Sequence, residues 1–273
     1  MTSLRSRFSE SIKFLQKEAP FNPEITLVLG SGLNDFADQL TLVKVIPTNE
    51  IPDYPASTVE GHKGNLCFAE YKGKKLLILQ GRIHFYEGYS ITQCVLPVVL
   101  GNALGSKYLF LTNSAGGINS NFVPGDLMLI NDFISVNLWQ ELGKLLPTAS
   151  VEERNGMLNF PDKDIIALMR MAAIKAEVDV REGTYWYTKG PNYESPAEIQ
   201  MMKRFGGDSV GMSTAHEAFY GQHLGMKVGS ISLITNFAAG LSAFKLSHAE
   251  VQETASWAKN RFEKLLKSII TEV

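Results

Sequence analysis

Three features of this 273-residue chain predict an α/β fold, a single domain with one central mixed β-sheet flanked by helices. Short apolar runs of strand length alternate with segments of helical period. Capping signals open several of the helical segments. Small and polar residues follow directly on the apolar runs, as they do where a pocket forms at the carboxyl edge of an α/β sheet.

Residues 9–17 are expected to form a leading helix with Phe8, Ile12 and Leu15 on its apolar side, ended by Pro20 and Pro23. Residues 25–29 read as a strand running into Gly30-Ser31-Gly32-Leu33. That turn resembles the opening of a dinucleotide loop, but Asp35 stands at the third glycine position and no acidic residue closes a clear second strand. A nucleotide cofactor is therefore not expected. The turn still offers N–H groups and a hydroxyl to an anion, with a plain tight turn as the alternative. Residues 51–64 are loop, punctuated by Pro52, Pro55, Gly61 and Gly64, and they carry His62. Residues 66–70 and 75–80 predict a hairpin about Lys72-Gly73.

Residues 91–104 predict an apolar helix that Pro97 kinks or shortens. Residues 108–111 are a buried strand leading into Thr112-Asn113-Ser114-Ala115-Gly116-Gly117, where small residues let backbone approach a ligand. A further strand is expected at 127–130, then loops with short helices over 133–162, and a helix at 164–176. Residues 183–189 read as a strand entering Gly190-Pro191-Asn192-Tyr193-Glu194. Ser195, Pro196 and Glu198 form a capping box for the next helix. Residues 208–212 are a short strand and turn. Ser213-Thr214 starts another helix, with Thr214 and Glu217 as a second capping box. Residues 228–235 are a strand ending at Asn236. Ser247 and Glu250 cap the last helix, whose apolar stripe is Val251, Ala255, Ala258, Phe262, Leu265 and Leu266.

Composition bounds the function. The chain is 45% hydrophobic and 20% charged with net charge −2, which excludes a basic nucleic-acid binder and gives no sign of a membrane-surface protein. An anionic substrate must be met by a local cluster. Cys67 and Cys94 sit in apolar runs and are expected to be buried free thiols, which points to the cytoplasm. The first residues lack an apolar signal core, and no apolar run is long enough to span a bilayer.

The local cluster is found in Gly81-Arg82-Ile83-His84-Phe85-Tyr86-Glu87-Gly88-Tyr89. Arg82 offers a planar fork of donors suited to phosphate or carboxylate. His84 and Tyr86 follow at spacings of two, so in an extended segment they lean the same way. Taken alone, the stretch fits a pocket wall and a polar surface turn equally. Polar groups also sit past other strand ends: Ser31, Ser114, Glu194, Ser213 and Asn236. Each taken alone suits a cap, a surface charge or a turn; together they outline a pocket with an anion end and an end for a polar planar ligand.

These motifs, in this order from Leu29-Gly30-Ser31-Gly32-Leu33 through Gly81–Tyr89, Thr112–Gly117, Gly190–Glu194, Val210-Gly211-Met212-Ser213-Thr214 and Thr235-Asn236, resemble the trimeric purine nucleoside phosphorylases. The resemblance runs from about residue 24 to 251. It departs over 133–162, where Phe133 replaces the family's usual His and no Asn-Pro-Leu run follows. That region of the family supplies an aromatic to the neighbouring subunit's ribose pocket, and no residue here is assigned to that part.

The resemblance implies phosphorolysis of 6-oxopurine ribo- and deoxyribonucleosides such as inosine and guanosine, in a homotrimer. It implies phosphate binding by Ser31, His62, Arg82, His84, Ser114 and Ser213. Tyr86 and the Met212 backbone would meet the ribose, and His248 its 5′-hydroxyl. Tyr193 and Val210 would pack on the base, with Glu194 and Asn236 hydrogen-bonding it. His84, Glu194 and Asn236 are the residues expected at the chemistry. No metal or organic cofactor is expected, inorganic phosphate being a co-substrate. The alternatives are a methylthioadenosine phosphorylase, which would carry Asp at Asn236 and an apolar residue at His248, and a nucleotide-binding dehydrogenase or binding protein built on Gly30-Ser31-Gly32.

Overall fold

The computed structural model describes residues 4–56, 63–146, 150–152, 161–242 and 248–273, without the side chains of 248–252. Nine strands form one mixed sheet: β1 (Ile25–Leu29), β2 (Thr41–Pro47), β3 (Asn65–Tyr71), β4 (Lys74–Gln80), β5 (Tyr108–Gly117), β6 (Leu127–Ile134), β7 (Arg181–Tyr187), β8 (Ser209–Gly211) and β9 (Lys227–Phe237). Their order is β2-β3-β4-β1-β5-β8-β7-β6-β9, and β5 pairs in addition with β9. Five strands, β5, β8, β7, β6 and β9, thus close on themselves, while β1 to β4 extend from β5 as an open wing.

The central strands are covered on both faces, so they read as continuous apolar runs. Alternation within β1 assigns the faces. Ile25, Leu27 and Leu29 join the core with Met169 of the helix Lys163–Lys175 and Phe262 of the helix His248–Glu272. Val28 faces the opposite core, with Val98 of the helix Leu96–Ala103 and Phe219 of the helix Ala215–His223. Thr26, buried on that second face, donates to Ser106 at 2.8 Å. Gly101 lies over Thr26 so closely that an added Cβ would overlap its hydroxyl. Small residues here set how near the helix lies to the sheet.

The register brings the strand ends together. Leu29 is paired with Gln80 and Val28 with Leu111, in parallel, so the turns after β1 and β4 and the middle of β5 emerge side by side. Gly116 pairs with Asn236 across a register shift after Ala115, and beyond that shift β5 also takes up β8, pairing Gly116 with Val210. Such a shift bends a strand and re-aims its side chains.

Several expectations are corrected. The helix over 91–104 is two helices, Ile91–Cys94 and Leu96–Ala103, because Val95 leaves helical geometry and Pro97 is taken up in the first turn of the second. β5 and β6 run on to Gly117 and Ile134, through polar residues that signalled turns. The edge strand β2 was not read from the sequence; its side chains are mostly exposed, so it lacks the apolar alternation of a half-buried strand. The Ser195–Glu198 capping box forms, with Ser195 N–H donating to Glu198 at 2.7 Å. The Thr214–Glu217 box does not form. Ser247 lies outside the described residues. No helix among the described residues is long and apolar enough to cross a membrane.

Candidate active site

Eleven of the thirteen residues singled out from the sequence line one pocket: Ser31, Arg82, His84, Tyr86, Ser114, Tyr193, Glu194, Val210, Met212, Ser213 and Asn236. His62 and the His248 side chain lie outside the described residues. The pocket sits at the merged strand ends, where β5 has left β1 after Leu111 and takes up β8 at Gly116.

The Gly30–Gly32 turn is tied down from β5. Gly30 N–H donates to Thr112 Oγ1 at 3.1 Å, the Thr112 hydroxyl donates to the Val28 carbonyl at 3.1 Å, and Ser114 Oγ donates to the Ser31 carbonyl at 2.8 Å. A Cβ at Gly30 would collide with the Asn113 backbone, so glycine is required for this close approach. The Ser31 backbone is thereby fixed beside Ser114.

Arg82 is buried, not a surface cation. Its Nη1 donates to the Thr112 carbonyl at 2.7 Å and to Ser213 Oγ at 3.3 Å, and its Nη2 lies 3.1 Å from Glu217 Oε2. Both charged side chains are within 1% of complete burial. Glu217 is thus the partner that sequence reasoning missed. An acid three residues into a helix reads as a cap, and that pattern cannot distinguish the two uses. The reason the cap fails is local. Thr214 has φ +73° and ψ −52°, and Ala215 N–H donates back to the Ser213 carbonyl at 2.8 Å. This is a γ-turn with positive φ, which a β-branched residue rarely adopts, whereas an N-cap requires extended geometry. The Thr214 hydroxyl is held by Asn113 Nδ2 at 3.0 Å.

His84 is nearly buried and stacks on Tyr86, the ring centroids 4.7 Å apart. Its N–H donates to Glu87 Oε1 at 2.8 Å, and its Nδ1 lies 3.1 Å from the same oxygen. A carboxylate oxygen only accepts, so Nδ1 carries the proton and Nε2 presents the lone pair in the neutral ring. Burial, reinforced by the Arg82 charge and opposed by Glu87, holds His84 below its ordinary pKa. Glu87 was visible in the sequence as the acid three residues on.

At the opposite end, Glu194 accepts from the Thr188 hydroxyl at 2.7 Å. Asn236 Oδ1 accepts from Thr235 Oγ1 at 2.9 Å, while its Nδ2 donates to the Phe237 carbonyl at 2.9 Å. A carbonyl cannot donate, so the amide cannot flip, and among the described residues one N–H of Nδ2 is left over. The base end therefore pairs an acceptor carboxylate with an amide donor. Gly116 lies directly beside the amide, and a Cβ added there would come into ordinary contact with Asn236 Nδ2 at 3.4 Å. Tyr193 is 56% exposed and borders the mouth. Phe133 does not reach the pocket wall; it packs on Tyr185 and Phe219, at 5.7 Å between centroids in both cases.

A family model described as the phosphorylase superfamily matches residues 24–271. Purine nucleoside phosphorylase 1 of Geobacillus stearothermophilus is 40% identical over 272 residues, spanning 97% of each chain. A crystal structure of Schistosoma mansoni purine nucleoside phosphorylase in complex with inosine has a TM-score of 0.87 at 31% identity, covering 100% of this chain and 98% of that one. A second, in complex with adenosine, has a TM-score of 0.87 at 33% identity and covers 98% of each.

His216 lies behind this site, fully buried and edge-on to Tyr187. Burial first, and then the Arg82 charge, push its pKa down to about 3. The unfolded chain binds a proton below about pH 6.5 that the native state refuses until about pH 3, so His216 lowers stability as pH falls through that window. Between pH 6.5 and 5 the loss in unfolding free energy is expected to be about 1.5 kcal/mol smaller in His216→Leu than in wild type. Parallel urea-unfolding series at the two pH values measure this, and equal losses in both proteins would show that the imidazole is not held neutral.

Proposed function

The chain belongs to the phosphorylase superfamily, and we propose that it cleaves purine nucleosides with inorganic phosphate to give the free base and ribose 1-phosphate. The carrying observation is that one pocket joins a donor-rich end, built on Arg82, Ser31 and Ser213, to an end with one fixed acceptor and one fixed donor, Glu194 and Asn236.

Arg82, His84, Ser31, Ser213 and the backbone at Ser114 hold phosphate against the anomeric carbon. The N9–C1′ bond breaks with its electron pair leaving on the purine, and a phosphate oxygen forms the new bond to C1′. Positive charge grows on the ribose and is stabilised by the phosphate anion beneath it; no protein nucleophile is required. Neutral His84 accepts a hydrogen bond from a phosphate hydroxyl at Nε2, and the departing purine anion takes its proton from solvent on release. The Asn236 amide donates to N7, where negative charge collects, and Glu194 accepts from N1–H. Tyr86 and the Met212 backbone flank the ribose, with Tyr193 and Val210 on the base. His62 and His248 enter by resemblance alone, as ligands of phosphate and of the 5′-hydroxyl. The reaction calls for no cofactor beyond phosphate.

The assembly is a homotrimer in this reading, carried over from the resemblance; light scattering showing a fully active monomer would contradict it. The two free thiols are buried, which fits a reducing compartment and our placing of the enzyme in the cytoplasm, a point cell fractionation tests.

Base choice tests the reading most sharply. Inosine presents O6 and N7 as acceptors and N1–H as a donor, matching Asn236 and Glu194. Adenosine reverses the first and third, leaving polar groups mismatched in a largely desolvated pocket. A Schistosoma relative has been solved with both nucleosides, so the discriminating quantity is turnover and not occupancy. The ratio of kcat/KM for inosine to that for adenosine is expected to exceed about 100 and to fall at least about tenfold in Asn236→Asp, whose protonated form can donate to N7 and accept from a 6-amino group. Equal rates on both nucleosides in wild type, or a ratio unmoved by the substitution, would refute the base-end assignment.

A further inference from the structure

We infer that Glu217 is a positioning residue for phosphate, acting through Arg82; the inference rests on the phosphorolysis reading above. Glu217 does not itself line the pocket and is closed off from solvent. Its helix, Ala215–His223, is buried from Ala215 through Gly221, so the carboxylate has no route to water. Among the described residues, Arg82 is the cation that meets it, Nη2 to Oε2 at 3.1 Å.

Stability does not account for such a pair. Desolvating two charges offsets most of their attraction, and apolar replacements are often as stable. What the pair supplies is geometry. Nη1 of Arg82 donates to the β5 carbonyl of Thr112 and to Ser213 Oγ, while Nη2 lies against Glu217 as an ion-pair contact outside hydrogen-bond alignment, so two hydrogen bonds on one side and one ion pair on the other orient the guanidinium. A planar fork recognises an oxyanion only in a narrow range of orientations.

The Thr214 γ-turn makes this one mechanical unit. It joins Ser213, which lines the anion end, to the first helical turn that carries Glu217. Asn113 of β5 holds the turn through the Thr214 hydroxyl at 3.0 Å. Arg82 is therefore clamped between β5 and a turn that is itself fastened to β5. The first helical turn also suits a carboxylate, since the helix dipole is positive there.

The test separates reach from charge by measuring KM for inorganic phosphate and KM for inosine independently. Glu217→Gln keeps the length and an acceptor oxygen, so its phosphate KM is expected to stay within about threefold of wild type. Glu217→Asp keeps the charge but falls one methylene short, and Glu217→Ala removes the anchor. Both are expected to raise phosphate KM about tenfold or more, with inosine KM changed less than about threefold. If Glu217→Ala fails to fold, Glu217→Asp carries the comparison, judged on kcat/KM for each substrate. A merely structural role would lower kcat through lost folded enzyme and leave both KM values alone; that result overturns the inference. So does a Gln variant as impaired for phosphate as the Asp variant. A wild-type protein without phosphate-dependent cleavage would instead remove the proposed function itself.

Discussion

β5 is the strand on which the rest of the molecule depends. It pairs with β1 on one side and β9 on the other, and beyond Ala115 it also takes up β8. A buried strand must satisfy its N–H and C=O groups, and here they are shared among three neighbours. That sharing closes the five-strand ring and opens the crevice in which the pocket lies. Ser114, Ala115 and Gly116, the residues at the split, all line it. Small size is a condition of the geometry at Gly117, where a Cβ would overlap Ile234.

From β5 the polar contacts spread outward in a consistent way. Thr112 fastens the Gly30 turn through its hydroxyl and Arg82 through its carbonyl; Asn113 fastens Thr214; Ser114 fastens Ser31. Three consecutive residues of one strand thus hold three separate segments of the anion end. At the base end the same role falls to threonine hydroxyls, Thr188 on Glu194 and Thr235 on Asn236. The residues that meet ligand are held by residues that do not, so the site is ordered before substrate arrives and little is lost in arranging it.

Much of this was legible in the sequence because it follows from local rules. The strand runs at 25–29 and 75–80, the hairpin turn at Lys72-Gly73 and the Ser195–Glu198 capping box are local signals, and the structure carries each of them. Polar residues past strand ends marked the pocket because a parallel sheet collects those ends on one edge. What the sequence concealed depended on long-range pairing. Nothing near Glu217 announces a partner 135 positions away, the difference between 217 and 82 in the numbering. The γ-turn at Thr214 defeats the local rule because a β-branched residue is the last expected there. β2 escaped because an exposed edge strand has no apolar period. Ser114 to Gly117 looked like loop because small residues weaken a strand signal; backbone pairing with β9, joined by β8 at Gly116 and Gly117, overrides that.

The central claim is that one pocket holds phosphate and a purine nucleoside in line. The most direct measurement is combined ¹H and ³¹P NMR of purified enzyme with inosine and inorganic phosphate, alongside a sample without phosphate. The account expects hypoxanthine and ribose 1-phosphate in equal amounts, and no base release when phosphate is withheld. Base release that continues without phosphate, or that yields free ribose, would contradict it.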